Sequence, residues 1–339
     1  MSRPLASPIL AAALTAIALP ACVQAAPGAS GLSVTAHIAG PDGGWDYASF
    51  DPARRRVYVA HGDKVMTIDA DSGKVNGDFA DGSRLHAVVP VPGTDLIVTT
   101  NSGDNTARVI SAVDGRLIAS IPAAKDTDSA AYDPSSGLVV VIGGDSGEIT
   151  LVDPKAGKAV GSIVLGGSLE FAAPDGKGKV FINAEDTHEI AVVDIAARKL
   201  VGRYPMPGCQ GPTGLALVAG DRLISACRNG IAKILDAKTG AEIASLTIGV
   251  GPDAVIADAG RKLAYIPSGR AGTLAVIALS GAANNTVIDT VPTQVGARTG
   301  TMDPKTGTIY LPTAEYGPLV PGQRPGTKPG AFQVLVVSR

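Results

Sequence analysis

The chain repeats itself about every 42 residues, and this period limits its possible folds more than any other feature of the sequence. In each unit a short apolar run ends at a small polar or acidic residue, which a turn follows. The spacings between these anchor positions are 42, 42, 41 and 42 residues, and the anchors are Asp69, Ser111, Asp153, Asp194 and Asp236. A four-stranded repeat of this length is typical of a β-propeller blade.

Each unit divides into four short strands separated by tight turns. In the unit around Cys227, the predicted strands are 214–218, 222–227, 231–236 and 241–246. The 42 Gly and 24 Pro of the chain suit many hairpin turns and disfavour long helices. Seven second strands are found, at 57–59, 96–98, 138–140, 180–182, 223–225, 263–266 and 309–311. The sequence therefore predicts an all-β, seven-bladed β-propeller with four antiparallel strands per blade.

The two ends of the chain predict how the ring closes. The last unit has two strands near 298–302 and 308–311, a Pro- and Gly-rich loop insertion at 316–331 and a third strand at 332–337. Its fourth strand is missing, whereas an extra strand at 32–38 precedes the first complete blade. We therefore expect one domain over residues 26–339, in which the N-terminal strand closes the C-terminal blade.

Three blades share a short motif that points to a known repeat family. Asp51-Pro52 precedes Val57-Tyr58-Val59-Ala60, Asp303-Pro304 precedes Ile309-Tyr310-Leu311-Pro312, and a related strand is Leu96-Ile97-Val98-Thr99-Thr100-Asn101. The chain resembles the YVTN-type β-propeller repeat family, in particular YncE-like exported proteins, over essentially all of the mature sequence. The resemblance implies a propeller and a binding, surface or cofactor-free accessory role, with DNA binding in one branch.

The N-terminus and the cysteines predict export. Residues 1–25 combine Arg3, an apolar run at 9–19 and small residues before a cut after Ala25, as in a signal peptide. The alternative is a lipoprotein anchored at Cys22. We expect a periplasmic or secreted protein, in which Cys209 and Cys227 form a disulfide; two buried free thiols are the other possibility.

Charge and composition restrict the partners. The 29 Lys and Arg against 31 Asp and Glu give a net charge of −2, without the broad positive field of a nucleic-acid binder. Nucleic acid is therefore not an expected partner. No later apolar run reaches the roughly 18 residues of a transmembrane helix. We expect a monomer that binds a small molecule or a protein at its funnel face.

One polar residue per blade recurs in the connection that enters the blade. The spacings are 40, 42, 42, 43, 40 and 45 residues, and the residues are Asp46, His86, Asp128, Glu170, Thr213, Asp253 and Arg298. Because equal phase in each blade means equal height in the ring, we expect them to form one ligand-binding cluster at the channel mouth. A second ring is predicted from the turns between strands 2 and 3: His61, Asn101, Asn105, Glu185, Asp186, His188, Arg228, Asn229, Arg270, Glu315 and Tyr316.

Four converging carboxylates suggest that a cation lies between them, because like charges raise one another's pKa. The candidate ligands for a divalent cation, either Ca²⁺ or a transition metal bound through the imidazole, are Asp46, His86, Asp128, Glu170 and Asp253. A hydrated polar network and a catalytic acid/base set are the alternatives. Arg298 would suit an anionic group instead.

The sequence thus leaves two classes of function open. The first is an exported binding or scaffold protein that holds a small ligand, ion or protein partner at the funnel. The alternative is a metal-dependent hydrolase, for example of lactones, that uses the funnel carboxylates. No catalytic residue is assigned, since the chain lacks a Gly-x-Ser-x-Gly elbow, a His-Glu-x-x-His helix and a phosphate-binding loop.

Overall fold

The computed structural model describes residues 1, 30–218, 221–280, 284–318 and 326–339. Within these residues the chain forms 28 β-strands and no helix, arranged as seven four-stranded antiparallel sheets. This confirms the predicted seven-bladed propeller. The predicted signal peptide and Cys22 lie outside the described residues, as does 319–325 of the predicted insertion. No helix in the described part is long and apolar enough to cross a membrane.

The blades follow one another along the chain. Blades 1 to 3 comprise β2 (Trp45–Asp51), β3 (Arg56–His61), β4 (Lys64–Asp69) and β5 (Val75–Asp81); β6 (Leu85–Val91), β7 (Leu96–Asn101), β8 (Thr106–Ser111) and β9 (Leu117–Pro122); and β10 (Thr127–Asp133), β11 (Leu138–Gly143), β12 (Glu148–Asp153) and β13 (Lys158–Val164). Blades 4 and 5 comprise β14 (Leu169–Pro174), β15 (Lys179–Ala184), β16 (Glu189–Asp194) and β17 (Lys199–Pro205); and β18 (Pro212–Val218), β19 (Arg222–Cys227), β20 (Ile231–Asp236) and β21 (Glu242–Thr247). Blades 6 and 7 comprise β22 (Ile256–Asp258), β23 (Leu263–Ser268), β24 (Thr273–Ser280) and β25 (Asn284–Pro292); and β26 (Thr301–Met302), β27 (Ile309–Tyr316), β28 (Thr327–Ser338) and β1 (Ser33–Ala39).

The first strand of each blade lies nearest the axis. Strands β2, β6, β10, β14, β18 and β22 contact one another in that order, and β26 contacts β2. The entries of blades 6 and 7 are joined by the backbone N–H of Asp253, which donates to the carbonyl oxygen of Arg298 at 3.2 Å. The turns between second and third strands therefore lie on the same face as the connections between blades. We call this face the funnel face.

The N-terminal strand closes the ring as predicted. Strand β1 pairs antiparallel with β28, from Ser33 opposite Ser338 to Ala39 opposite Gln333. The apolar core lies between neighbouring blades, and one cluster joins Val57 of blade 1 to Tyr310 and Phe332 of blade 7. Blade 7 is thus held both by strand pairing and by packing against the next blade.

The predicted insertion at 316–331 is wrong over residues 327–331. Strand β28 begins at Thr327, which pairs with Tyr316, so these residues belong to the hairpin rather than to a loop. The backbone N–H of Gly330 donates hydrogen bonds to both carboxylate oxygens of Asp42, at 2.8 and 2.7 Å. This contact and the pairing outweigh the loop preference of the local Pro and Gly residues.

Candidate functional site

A β-bulge repeated in successive blades places the polar ring. In blade 1, Trp45 pairs with His61 and Ala48 with Val59, so β2 carries one extra residue between the two pairs. Blades 2 to 5 show the same irregularity at the start of β6, β10, β14 and β18. A bulge changes the direction of the side chain that it contains. The predicted ring residues Asp46, His86, Asp128, Glu170 and Thr213 all lie in these bulges.

Three of the ring residues form a compact cluster. His86 Nδ1 lies 2.7 Å from Asp46 Oδ2 and 3.3 Å from Asp128 Oδ1. One ligand atom from each side chain lies within 4.8 Å of the others, a spacing that could hold a metal ion. We refer to Asp46, His86 and Asp128 as the acidic triad. Its residues come from blades 1, 2 and 3, so the packing of three successive blades brings them together.

Ser102 fixes the orientation of the His86 ring, and the sequence analysis did not identify it. Its hydroxyl lies 2.9 Å from His86 Nε2 and 3.2 Å from the carbonyl oxygen of Arg84. A carbonyl oxygen only accepts, so the single hydroxyl proton of Ser102 is donated to Arg84. The second contact is then a hydrogen bond if His86 Nε2–H donates to the Ser102 oxygen. Nε2 is therefore the protonated nitrogen. Nδ1 faces the two carboxylates, where it holds a second proton, accepts a hydrogen bond from a protonated carboxyl, or binds a cation.

Burial and neighbouring charges shift the pKa values of His86 and Asp128. Burial alone would lower the pKa of His86, but the hydrogen bond to Asp46 and the carboxylate charges outweigh it, so the pKa is raised. Burial and the charge of Asp46 raise the pKa of Asp128 to about 7. His86 and Asp128 therefore bind protons more strongly than isolated groups would, as expected where carboxylates converge on a buried site.

Two arginines neutralise the remaining acids of the ring. Arg298 Nε donates to Asp253 Oδ2 at 2.9 Å, and its Nη2 lies 3.4 Å from Asp46 Oδ1. Arg228 contacts Glu170 at 3.1 Å and also pairs with Glu185. The structure thus places Glu170 and Asp253 in ion pairs beside the triad rather than within it.

Burial, together with nearby carboxylates, raises the pKa of both paired acids. For Glu170 the pKa lies well above its usual value, because the side chain is buried and Asp253 and Asp128 are close. For Asp253, burial raises the pKa and outweighs the opposing effect of Arg298.

Tyr47 and Phe171 meet next to the ring residues Asp46 and Glu170. They come from blades 1 and 4, which are not neighbours, yet their ring centroids are 5.2 Å apart. The Tyr47 hydroxyl lies 3.5 Å from Glu170 Oε2. Burial, followed by the charges of nearby carboxylates, raises the pKa of Tyr47 well above its usual value, so the hydroxyl stays protonated. The position of Tyr47 next to Asp46 was the only sequence signal for this contact.

Thr213 lies at the predicted position in its blade, but its side chain is buried among backbone carbonyls. Its side chain is fully buried, and its hydroxyl lies 2.9 Å from the carbonyl oxygen of Pro252 and 3.2 Å from that of Ala226. The hydroxyl proton is therefore used within the protein, where it joins blade 5 to the entry of blade 6. The prediction that Thr213 binds a ligand remains untested.

A cavity of 950 Å³ opens beside the ring on the funnel face. Its lining includes Arg228, Asp253, Arg270 and Arg298 together with Trp45, and several glycines. A second cavity of 500 Å³ shares Arg228 and Arg270 and adds Glu185, Asp186 and His188. Both rings predicted from the sequence thus contribute to the cavity walls.

The predicted disulfide is confirmed. Cys209 in the connection between blades 4 and 5 is bonded to Cys227 at the end of β19, with Cα atoms 5.4 Å apart. Both cysteines are buried. The bond links an inter-blade connection to a second strand on the funnel face.

Comparisons with known proteins support the fold alone. No family model and no curated protein sequence matches the chain. A structure titled "Crystal Structure of Mitotic Checkpoint Complex" superposes with a TM-score of 0.74 at 12% identity, over 99% of both chains. Hydrazine synthase from Kuenenia stuttgartiensis matches with a TM-score of 0.70 at 15% identity, over 82% of this chain and 94% of that one. A structure of U3-55K gives 0.71 at 9% identity, over 91% and 99%.

Proposed function

We propose that this protein is an exported binding protein that holds a divalent cation in the acidic triad, with a small ligand in the adjoining 950 Å³ cavity. The observation that carries the proposal is the convergence of Asp46, His86 and Asp128, whose ligand atoms lie within 4.8 Å of one another. A β-propeller commonly serves binding, which agrees with this role.

The hydrogen bonds of His86 favour a metal ligand. A metal-bound histidine usually donates its other N–H to an oxygen acceptor, which holds the ring in place. His86 Nε2 has such an acceptor in Ser102, at 2.9 Å. A cation at Nδ1 would replace the proton there and offset the repulsion between Asp46 and Asp128. One imidazole with two carboxylates suits Zn²⁺ or Mn²⁺ better than Ca²⁺, which prefers oxygen ligands alone.

Two observations support export. The disulfide between Cys209 and Cys227 suits an oxidising compartment. The N-terminal sequence has the features of a signal peptide. Membership of the YVTN-type repeat family stays a prediction from the repeat motifs.

Calorimetric titration with Zn²⁺ and Mn²⁺ tests the cation site. We expect one cation per chain in the wild type, and at least about a 100-fold loss of affinity in Asp46→Asn and Asp128→Asn. Glu170→Gln is the matched control, because it removes a buried ring carboxylate that lies outside the triad. The affinity of Glu170→Gln for the cation should change by less than about threefold. Equal losses in all three variants would show that the triad is not the site.

Metal-dependent hydrolysis is a second candidate because Glu170 lies beside the triad with a raised pKa. A protonated carboxyl next to a bound cation could act as a general acid. An aryl ester and lactone panel with and without chelator tests it. Hydrolysis that requires the cation and is lost in Glu170→Gln would favour an enzyme, and the absence of turnover would leave the binding role alone.

A further inference from the structure

Arg270 differs from the two other arginines that line the 950 Å³ cavity. Arg228 and Arg298 each contact two carboxylates. Arg270 is exposed, and no acidic side chain in the described part of the chain lies within salt-bridge distance of it. The cavity thus contains a guanidinium whose donors are not used by any residue that the structure describes.

The backbone beneath Arg270 is shaped to hold its side chain. Gly251 has a φ of +72°, and a Cβ atom built there would lie 2.6 Å from Arg270 Cγ. The neighbouring Gly269 leaves similar room for Arg298, whose Cβ would lie 2.8 Å from an added methyl. Glycine at these two places lets both arginine stems lie directly on the backbone. Arg270 is therefore packed along its stem while its charged end faces the cavity.

The lining of this cavity is net positive. It contains Arg228, Arg270 and Arg298 against Asp253 alone. The carboxylates that offset Arg228, namely Glu170 and Glu185, are not among its lining residues. An anion in the cavity could pair with Arg270 without displacing an existing ion pair.

Part of the cavity lining is apolar. Val295 is 53% exposed and lines the cavity next to Tyr316. Trp45 is only 8% exposed, and its indole Nε1 has no hydrogen-bond partner among the described residues. An exposed valine and two aromatic rings form a surface on which a small apolar group can rest.

We propose that this cavity binds a small organic carboxylate, whose carboxylate pairs with Arg270 and whose apolar part rests on Val295 and Tyr316. The inference rests on the proposed binding function and specifies its ligand class. A guanidinium binds a carboxylate through two parallel hydrogen bonds, which fixes orientation as well as charge. Arg298 lies between this cavity and Asp46, so the ligand would sit next to the cation site.

The single tryptophan supplies the assay. Trp45 is the only Trp in the sequence and lines the cavity, so its fluorescence reports occupancy directly. We would titrate the full mature chain with benzoate in the presence of chelator, and with benzamide as the uncharged analogue of equal shape. Benzoate should change the fluorescence saturably, with an affinity at least about tenfold higher than that of benzamide.

Variants separate a specific ion pair from general attraction. Arg270→Gln should lower benzoate affinity at least about tenfold, and Arg270→Lys should give an intermediate value, because it keeps the charge but not the paired donors. Arg116→Gln is the matched control: it removes an exposed arginine from a turn between third and fourth strands, on the opposite face. Its benzoate affinity should equal that of the wild type.

The outcomes distinguish this inference from the proposed cation site. Equal responses to benzoate and benzamide, no saturable response, or unchanged benzoate affinity in Arg270→Gln would each overturn it. Because chelator is present, these results do not depend on the cation. Zn²⁺ binding should remain in Arg270→Gln. A wild type that binds Zn²⁺ but gives no saturable response to benzoate would refute only the ligand class.

Discussion

Replacing Asp128 by Asn should stabilise the cation-free protein at high pH. The folded structure raises the pKa of Asp128 from 3.8 to about 7. An unfolded chain ionises this carboxyl near its ordinary pKa, so the folded state loses stability as the pH rises between these two values. About three pKa units at about 1.36 kcal/mol each correspond to a penalty of up to about 4 kcal/mol above pH 7.

The assay is urea denaturation of wild type and Asp128→Asn with chelator, at about pH 4.5 and about pH 8. Asn keeps an oxygen near His86 Nδ1 but cannot ionise. The free energy of unfolding of the variant should therefore exceed that of the wild type by up to about 4 kcal/mol at the higher pH. The difference should be much smaller at the lower pH. Asp145→Asn is the control, because it removes an exposed carboxylate from a turn on the same face. Its free energy of unfolding should differ little from that of the wild type at either pH. A variant that is no more stable than the wild type at high pH would refute the reasoning.

Three further predictions concern the support of the site and the ring. Ser102→Ala should weaken Zn²⁺ binding by about tenfold, because His86 loses the acceptor that orients it. The control Ser146→Ala, on the same face, should not weaken it. Equal Zn²⁺ affinities of Ser102→Ala and the wild type would contradict the role of Ser102. Removing the disulfide by Cys209→Ala and Cys227→Ala should lower the free energy of unfolding by about 3 kcal/mol for this 18-residue separation, measured by denaturation. An unchanged value would mean that the loop is fixed by packing alone. Deleting β1 should lower the Tm of the whole ring by exposing the edge of β28, and an unchanged Tm would argue against closure by this strand.

The repeat period was sufficient to predict the fold. Five anchors at nearly equal spacing set the blade length, and the missing fourth strand of blade 7 indicated the closure by β1. The same phase predicted that residues far apart in sequence, such as Asp46 and Asp128, lie at one end of the channel. Phase works here because blades 1 to 5 repeat one bulge at the same place in their first strands.

Phase does not determine which side chains meet. Thr213 lies in the same bulge as the acids, but neighbouring carbonyls use its hydroxyl. Ser102 follows a second strand and reaches His86 only through strand pairing within blade 2, which the repeat alone does not specify. Glu170 pairs with Arg228 because the turn of blade 5 extends over blade 4. These contacts depend on side-chain packing between elements, which one sequence does not reveal.

Crystals of the protein grown with Mn²⁺ test the central claim most directly, because anomalous scattering locates the ion itself. We expect one strong peak within bonding distance of Asp46, His86 Nδ1 and Asp128, with His86 Nε2 still bonded to Ser102. The peak should disappear in Asp128→Asn and remain in Glu170→Gln. A peak between Glu170 and Asp253, or no peak on the funnel face of the wild type, would contradict the account.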